Sequence, residues 1–193
     1  YVKELPRFGR DAKLEVVDGV QYQTQLLKRS SLYPQKSGTF SFDGITARLG
    51  IPTSSGRRSG FFFNTQLTTR DVTSNEFAFT VMPLPEPQPA SFSGGVGQYA
   101  AKVEIDKTRL STDDALSLQM TIQGDGDQRL LLPPPLDLGE DFETYDANLI
   151  NSNERPGEDR YRFVKSFQYL IIPNRAGQLV LKPEFTYYSP EEN

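Results

Sequence analysis

The feature that most constrains this chain is a turn that occurs twice. Residues 167–189 read FQYLIIPNRAGQLVLKPEFTYYS, and residues 29–46 read RSSLYPQKSGTFSFDGIT. The copies align at an offset of about 139 residues, too long for a solenoid period and suited to tandem domains. Pro34 then meets Pro173, Lys36 meets Arg175 and Gly38 meets Gly177. Phe40 and Phe42 fall on Leu179 and Leu181, and Tyr22 falls on Tyr161. Apolar residues alternate beyond each turn, so each copy predicts a β-hairpin.

The remaining pattern is also that of strands. KLEVV and VQYQTQLLKRSSLY flank Asp18-Gly19, a hairpin signal, with Val20, Tyr22, Leu26 and Leu32 on one half-buried face. IPTSSGRRSG reads as an exposed loop, and FFFNTQL and EFAFTV as strands. Further on, Val103 and Ile105 are expected inward, as are Leu116, Leu118, Met120 and Ile122. Tyr161, Phe163, Phe167, Tyr169 and Ile171 share a face, and so do Leu179, Leu181, Phe185 and Tyr187, leaving Tyr188 outward. The prolines of LLLPPPLDL bar it from a central strand, and NSNERPGED reads as a connecting loop. No amphipathic helix appears, so the chain is expected to be all-β.

The repeat divides the sequence into a first module at 1–82, a Pro/Gly linker at 83–97 and a second module at 98–190. The linker opens with proline at 83, 85, 87 and 89, a polyproline II spacer, and ends in FSGGVG, whose Phe92 and Val96 are expected to dock on a domain. Phe8 corresponds to Phe142, yet the two strands that precede Phe142 have no counterpart before Phe8. The first module therefore reads as incomplete at its N-terminus, with early strands missing, and the sequence as a fragment of a longer protein. An incomplete sandwich exposes a sheet edge and invites pairing with another chain, self-association included.

Composition narrows the chemistry. The 193 residues contain neither cysteine nor histidine, which excludes thiolate nucleophiles, Ser-His-Asp triads and His-ligated zinc. The net charge of −4 is split: residues 1–82 carry about +4 and the rest about −8. The basic half is too mild for a nucleic-acid face, and the asymmetry reads as solvated surface or, more sharply, as head-to-tail docking. No apolar run reaches the ~18 residues of a membrane span, and no signal peptide is visible.

Two acidic groups are candidate partner-binding sites. Asp125 and Asp127 of GDGD could hint at calcium, but the other ligands of a calcium loop are missing and a plain turn looks the same. Asp137, Glu140, Asp141, Glu143 and Asp146 form an acidic stretch without a nearby Lys or Arg in sequence. It is either a solvated loop or a surface from which one carboxylate completes a metal site on a partner. Paired carboxylates can hydrolyse glycosides, but the chain has no Trp for sugar stacking. No catalytic residue, metal or cofactor is expected.

Four stretches together resemble the BatD (Bacteroides aerotolerance, oxygen-tolerance) family. They are LYPQKSGTFSF, the VMPLPEP…SFSGGVGQY junction, LSLQMTIQGDGD, and the closing YLIIPNRAGQLVLKPEFTYYSP. The family's usual turn is Gly-x-Gly-Asn, and here Asp127 stands in place of the Asn. The resemblance implies tandem immunoglobulin-like β-sandwiches in the bacterial periplasm, with the membrane reached only through a segment outside this sequence. It also implies partners among von Willebrand A-domain and tetratricopeptide proteins, a scaffold role in aerotolerance or envelope stress, and no established catalytic residues. The alternative, from another class, is a carbohydrate-binding β-sandwich module of a cell-envelope protein.

Overall fold

The computed structural model describes residues 1–6, 12–53, 66–112 and 114–191. Phe8, most of the expected loop at 51–60 and the start of the expected strand at 61–67 lie outside the described residues. The described chain is all-β, as expected, with no helix among its residues. It forms two compact units, one of Tyr1–Tyr33 with Leu84–Asn193 and the other of Pro34–Pro83.

The first unit contains β1 (Val2–Glu4), β2 (Lys13–Val17), β3 (Val20–Thr24) and β4 (Ser30–Leu32). After the second unit's strands β5 (Gly38–Phe42), β6 (Thr46–Thr53), β7 (Gln66–Thr73) and β8 (Phe77–Val81), it continues with β9 (Phe92–Val96), β10 (Tyr99–Ile105) and β11 (Leu116–Gly124). It closes with β12 (Phe142–Thr144), β13 (Asn148–Pro156), β14 (Tyr161–Pro173) and β15 (Thr186–Tyr188). Its main sheet is antiparallel and runs β10-β11-β14, with β12 and β13 sharing the far edge of β14. The alternation expected in β11 and β14 is observed. Leu116, Leu118, Met120 and Ile122 are buried, opposite Phe163, Phe167, Tyr169 and Ile171. Leu136, Leu138, Leu181, Phe185 and Tyr187 pack on this core from the facing layer, which contains β9 and β15 in parallel. The proline-rich 131–138 forms no strand, as expected, but its Leu131 and Pro134 are fully buried.

Two polar groups are spent on joining the layers. The Tyr169 hydroxyl donates to Pro134 O at 2.7 Å, and burial pushes its pKa up to about 12. Lys165 lies on the core side of β14 and donates from Nζ to Leu131 O at 2.9 Å; burial pushes its pKa down.

The repeated turn is present in both copies, with Gly38 at φ 128° and Gly177 at φ 129°, a backbone region open essentially only to glycine. The expected hairpins are not. The arms of each copy pair elsewhere: β4 with β1, β5 (Gly38–Phe42) with β8 (Phe77–Val81), β14 with β11, β12 and β13, and β15 with β9. Both edges of β14 are already occupied when the chain leaves Pro173, so the returning segment crosses to the other layer. It stays extended, and residues 179–185 still alternate between half-buried and exposed.

Three further expectations are corrected. NSNERP is strand, not loop: β13 lies along β14 from Asn148↔Gln168 to Pro156↔Tyr161, and the turn comes only at Gly157–Arg160. Val103 and Ile105 remain exposed, because β10 is an edge strand over which the second layer does not extend. The β2–β3 hairpin forms, with Asp18 and Gly19 both at positive φ as its two-residue turn requires, but Val20, Tyr22, Leu26 and Leu32 are exposed instead of half-buried.

The grouping of residues 1–33 with the C-terminal part has visible causes. The Tyr161 hydroxyl donates to Glu4 O at 2.9 Å, Lys3 pairs with Glu154, and Arg29 reaches Asp159 at 3.3 Å. Leu5 is buried. The FSGGV part of the linker is β9 itself: Phe92 and Val96 are half-buried in its pairing with β15, and Gly95 is buried beside Tyr99, Leu131 and Tyr187.

The second unit comprises the β5–β8 pair and the pair of β6 (Thr46–Thr53) with β7 (Gln66–Thr73). Phe40 faces Phe79 across the first pair with ring centroids 5.8 Å apart, and Phe42 faces Phe77 at 4.9 Å. These stacked cross-strand pairs are its main apolar contacts among the described residues.

Candidate interaction surfaces

The GDGD turn is built around Tyr99. Its ring lies among Phe163, Phe185 and Tyr187, and burial raises its pKa strongly. A Cβ on Gly124 would strike the Tyr99 ring, and one on Gly126 its hydroxyl and Val96 O. The glycines are therefore required by this close approach.

Asp125 and Asp127 are anchors of the same turn. Asp125 accepts the Gln98 backbone N–H at 2.8 Å through one oxygen and pairs with Arg160 at 3.1 Å through the other. Asp127, 9% exposed, accepts the Arg129 backbone N–H at 3.1 Å. It also takes the Arg129 guanidinium in a two-pronged contact of 2.9 and 2.5 Å. That guanidinium lies 3.3 Å over the Tyr1 ring, linking the turn to the N-terminal strand pair. An Asx turn with an arginine partner accounts for Asp127, and a strand-to-turn hydrogen bond with an arginine partner accounts for Asp125.

The second acidic group lies elsewhere. Asp127 adjoins the end of β11, where Gly124 pairs with Phe163, while Phe142 pairs with Pro173 at the other end of β14. At the rise of a β-strand the two ends are about 30 Å apart, so the acidic groups do not form one site. Asp141 has the compensating cation that local sequence did not show: Arg175, in the repeated turn, meets it with contacts of 2.5 and 2.7 Å. The Arg175 hydrogen bonds hold the Asp141 carboxyl below its usual range. Asp137 accepts the Gly139 N–H, and Glu143 accepts the Tyr145 hydroxyl at 2.7 Å. Glu140 and Asp146 have no ion pair among the described residues, and no acidic cluster there could hold a metal.

The surface that sequence reading did not single out is the β10 edge. Among the described residues only one side of β10 is paired, and every residue from Ala100 to Ile105 is exposed. Val103 and Ile105 sit opposite Met120 and Leu118, so their side chains continue the core face, yet they are 38% and 40% exposed. On the opposite face Lys102 and Glu104 pair at 2.8 Å. An unpaired edge carrying an uncovered apolar stripe is a template for an incoming strand.

Residues 103–189 match the family described as BatD DUF11 like domain. That segment is similar to the BatD domain, in agreement with the resemblance carried by its turn and closing stretch. No curated protein and no solved structure matches the chain.

Proposed function

We propose that this protein is a non-catalytic interaction scaffold of the bacterial periplasm that takes protein partners along the β10 edge by strand addition. The observation that carries the reading is that edge: unpaired among the described residues, exposed from Ala100 to Ile105, and bearing Val103 and Ile105 on the core side. An incoming strand would complete its backbone hydrogen bonds and cover both side chains, while Lys102 and Glu104 would select opposite charges across the new pair. The BatD match favours von Willebrand A-domain and tetratricopeptide proteins as partners. With it come a role in aerotolerance or envelope stress and attachment to the inner membrane through a segment outside this sequence.

Carbohydrate binding is the weaker reading. The outer face of the five-stranded sheet presents Lys102, Gln119, Thr121, Ser166 and Gln168 in adjoining rows, and its one aromatic among the described residues, Tyr145 beyond β12, is tied to Glu143 and stands alone, not in a row. The phenylalanines of β5 and β8 stack on one another.

The test is a pull-down from envelope extract with the wild-type protein and with Ala101→Pro, which removes an edge N–H. Recovery of an A-domain or tetratricopeptide protein by the wild type alone supports the proposal. Recovery of neither, or equal recovery by a folded Ala101→Pro protein, overturns it.

A further inference from the structure

On the outer face of the main sheet, Arg155 of β13 stands directly opposite Arg162 of β14. Like charges directly opposed across a strand pair are destabilising, so the arrangement calls for an anion. None is supplied internally: neither guanidinium has an ion pair or hydrogen bond among the described residues. The nearby carboxylates are engaged elsewhere, Asp125 with Arg160 and the Gln98 N–H, and Glu154 with Lys3 and Gln128. Glu154 also projects from the opposite face of β13, since it pairs with the buried Phe163.

The two arginines line an open groove of about 640 Å³. Its other polar walls include the amides of Gln98, Gln123, Asn151 and Asn153 and the carboxylate of Asp125, whose charge is met by Arg160 and the Gln98 N–H, and its remaining lining includes the small residues Ala100 and Gly124. Side-chain amides both donate and accept, which suits the alternating N–H and C=O groups of an extended main chain. Paired guanidiniums suit a planar carboxylate held by parallel N–H bonds.

We propose that this groove binds an acidic peptide segment of a protein partner, with one Asp or Glu carboxylate clasped between Arg155 and Arg162. This goes beyond strand addition at β10 and can stand or fall separately. The ligand chemistry is an oxyanion, which free phosphate shares, so the test has an arm for each source.

The probe is a capped ten-residue peptide of alternating Glu and Ser, with its Gln-Ser counterpart and inorganic phosphate as controls, titrated against the full chain. The Glu peptide should bind in low salt and weaken steeply as salt rises, and Arg155→Gln or Arg162→Gln should weaken it about tenfold or more. Arg162→Glu should abolish binding and raise the melting temperature, because it places an internal carboxylate opposite Arg155. Ala101→Pro should leave peptide binding intact, which separates this site from the β10 edge. The proposal is overturned if the Gln peptide binds as well as the Glu peptide, if phosphate alone binds and neither peptide does, or if the folded arginine variants keep full affinity.

Discussion

Asp127 gives the sharpest test of how the GDGD turn is held, because its two roles can be removed one at a time. Asp127→Ala deletes both the acceptor for the Arg129 backbone N–H and the partner of the Arg129 guanidinium. The first is worth about 1–1.5 kcal/mol when an inward-facing donor is left without a partner. The second is a pair whose arginine side chain is 48% exposed, so solvent screening limits it to about 0.5–1 kcal/mol. Asp127→Ala should therefore cost about 2 kcal/mol. Asp127→Asn, which restores the residue usual in the family turn, keeps the acceptor oxygen and should cost under about 1 kcal/mol. Urea denaturation at unchanged m-value measures both. Repeating it in 1 M salt should shrink the gap between wild type and Asp127→Asn while leaving the gap between Asn and Ala. Equal losses for Asn and Ala would show that the charge, not the cap, holds the turn. Losses near zero for both would refute the structural reading of Asp127 altogether.

Other elements make equally definite claims. Gly177→Ala forces a side chain to φ 129° and should cost about 1–3 kcal/mol in a melt, with Gly38→Ala behaving alike in the other copy. Leu118→Ala, at a fully buried site in the centre of the sheet, should cost about 2–5 kcal/mol by denaturant titration. Tyr169→Phe leaves the buried Pro134 carbonyl without its donor and should cost about 1–3 kcal/mol. Because the folded Tyr169 titrates at about 12, above its ordinary value of about 10, its contribution is intact below pH 10 and is lost as pH rises from there through 12. The Phe variant should flatten that alkaline slope. Asp141 has the opposite sign: its depressed pKa gives a contribution present at neutral pH and lost as pH falls below about 4. NMR titration of Asp141 should show a normal carboxyl pKa once Arg175→Met removes its partner.

The parts of this fold legible in the sequence are those where one side chain in two meets a core. β11 shows the alternation plainly, because it has one buried and one polar face, and β14 shows it through its buried aromatics, although its outward face mixes Arg162 and Gln168 with Val164 and Leu170. β13 was illegible for the converse reason. Its NSNERP has no apolar face and poor β-propensity, and its pairing comes from the ladder with β14. Missing that strand also hid the Arg155–Arg162 pair. The repeated turn could be read down to its glycine conformation, but not its pairing, since the available edges of β14 depend on β12 and β13 arriving first in the sheet. Similarly, parity placed Val103 and Ile105 on the correct face, but whether they are covered depends on how far the opposite layer extends. The acidic residues could be named, but the cation facing Asp141 lies 34 residues away along the chain. Only the Pro34/Pro173 alignment, which carries Lys36 onto Arg175, hinted that a cation recurs in that turn.

The central claim, that this domain receives partner strands at β10, is tested most directly by amide hydrogen exchange across residues 99–105 with and without a purified A-domain or tetratricopeptide partner. The account predicts slowed exchange at the β10 amides that point away from β11, little change along β14, and loss of that protection in Ala101→Pro. A complex that forms while those β10 amides exchange at their free rate would contradict it.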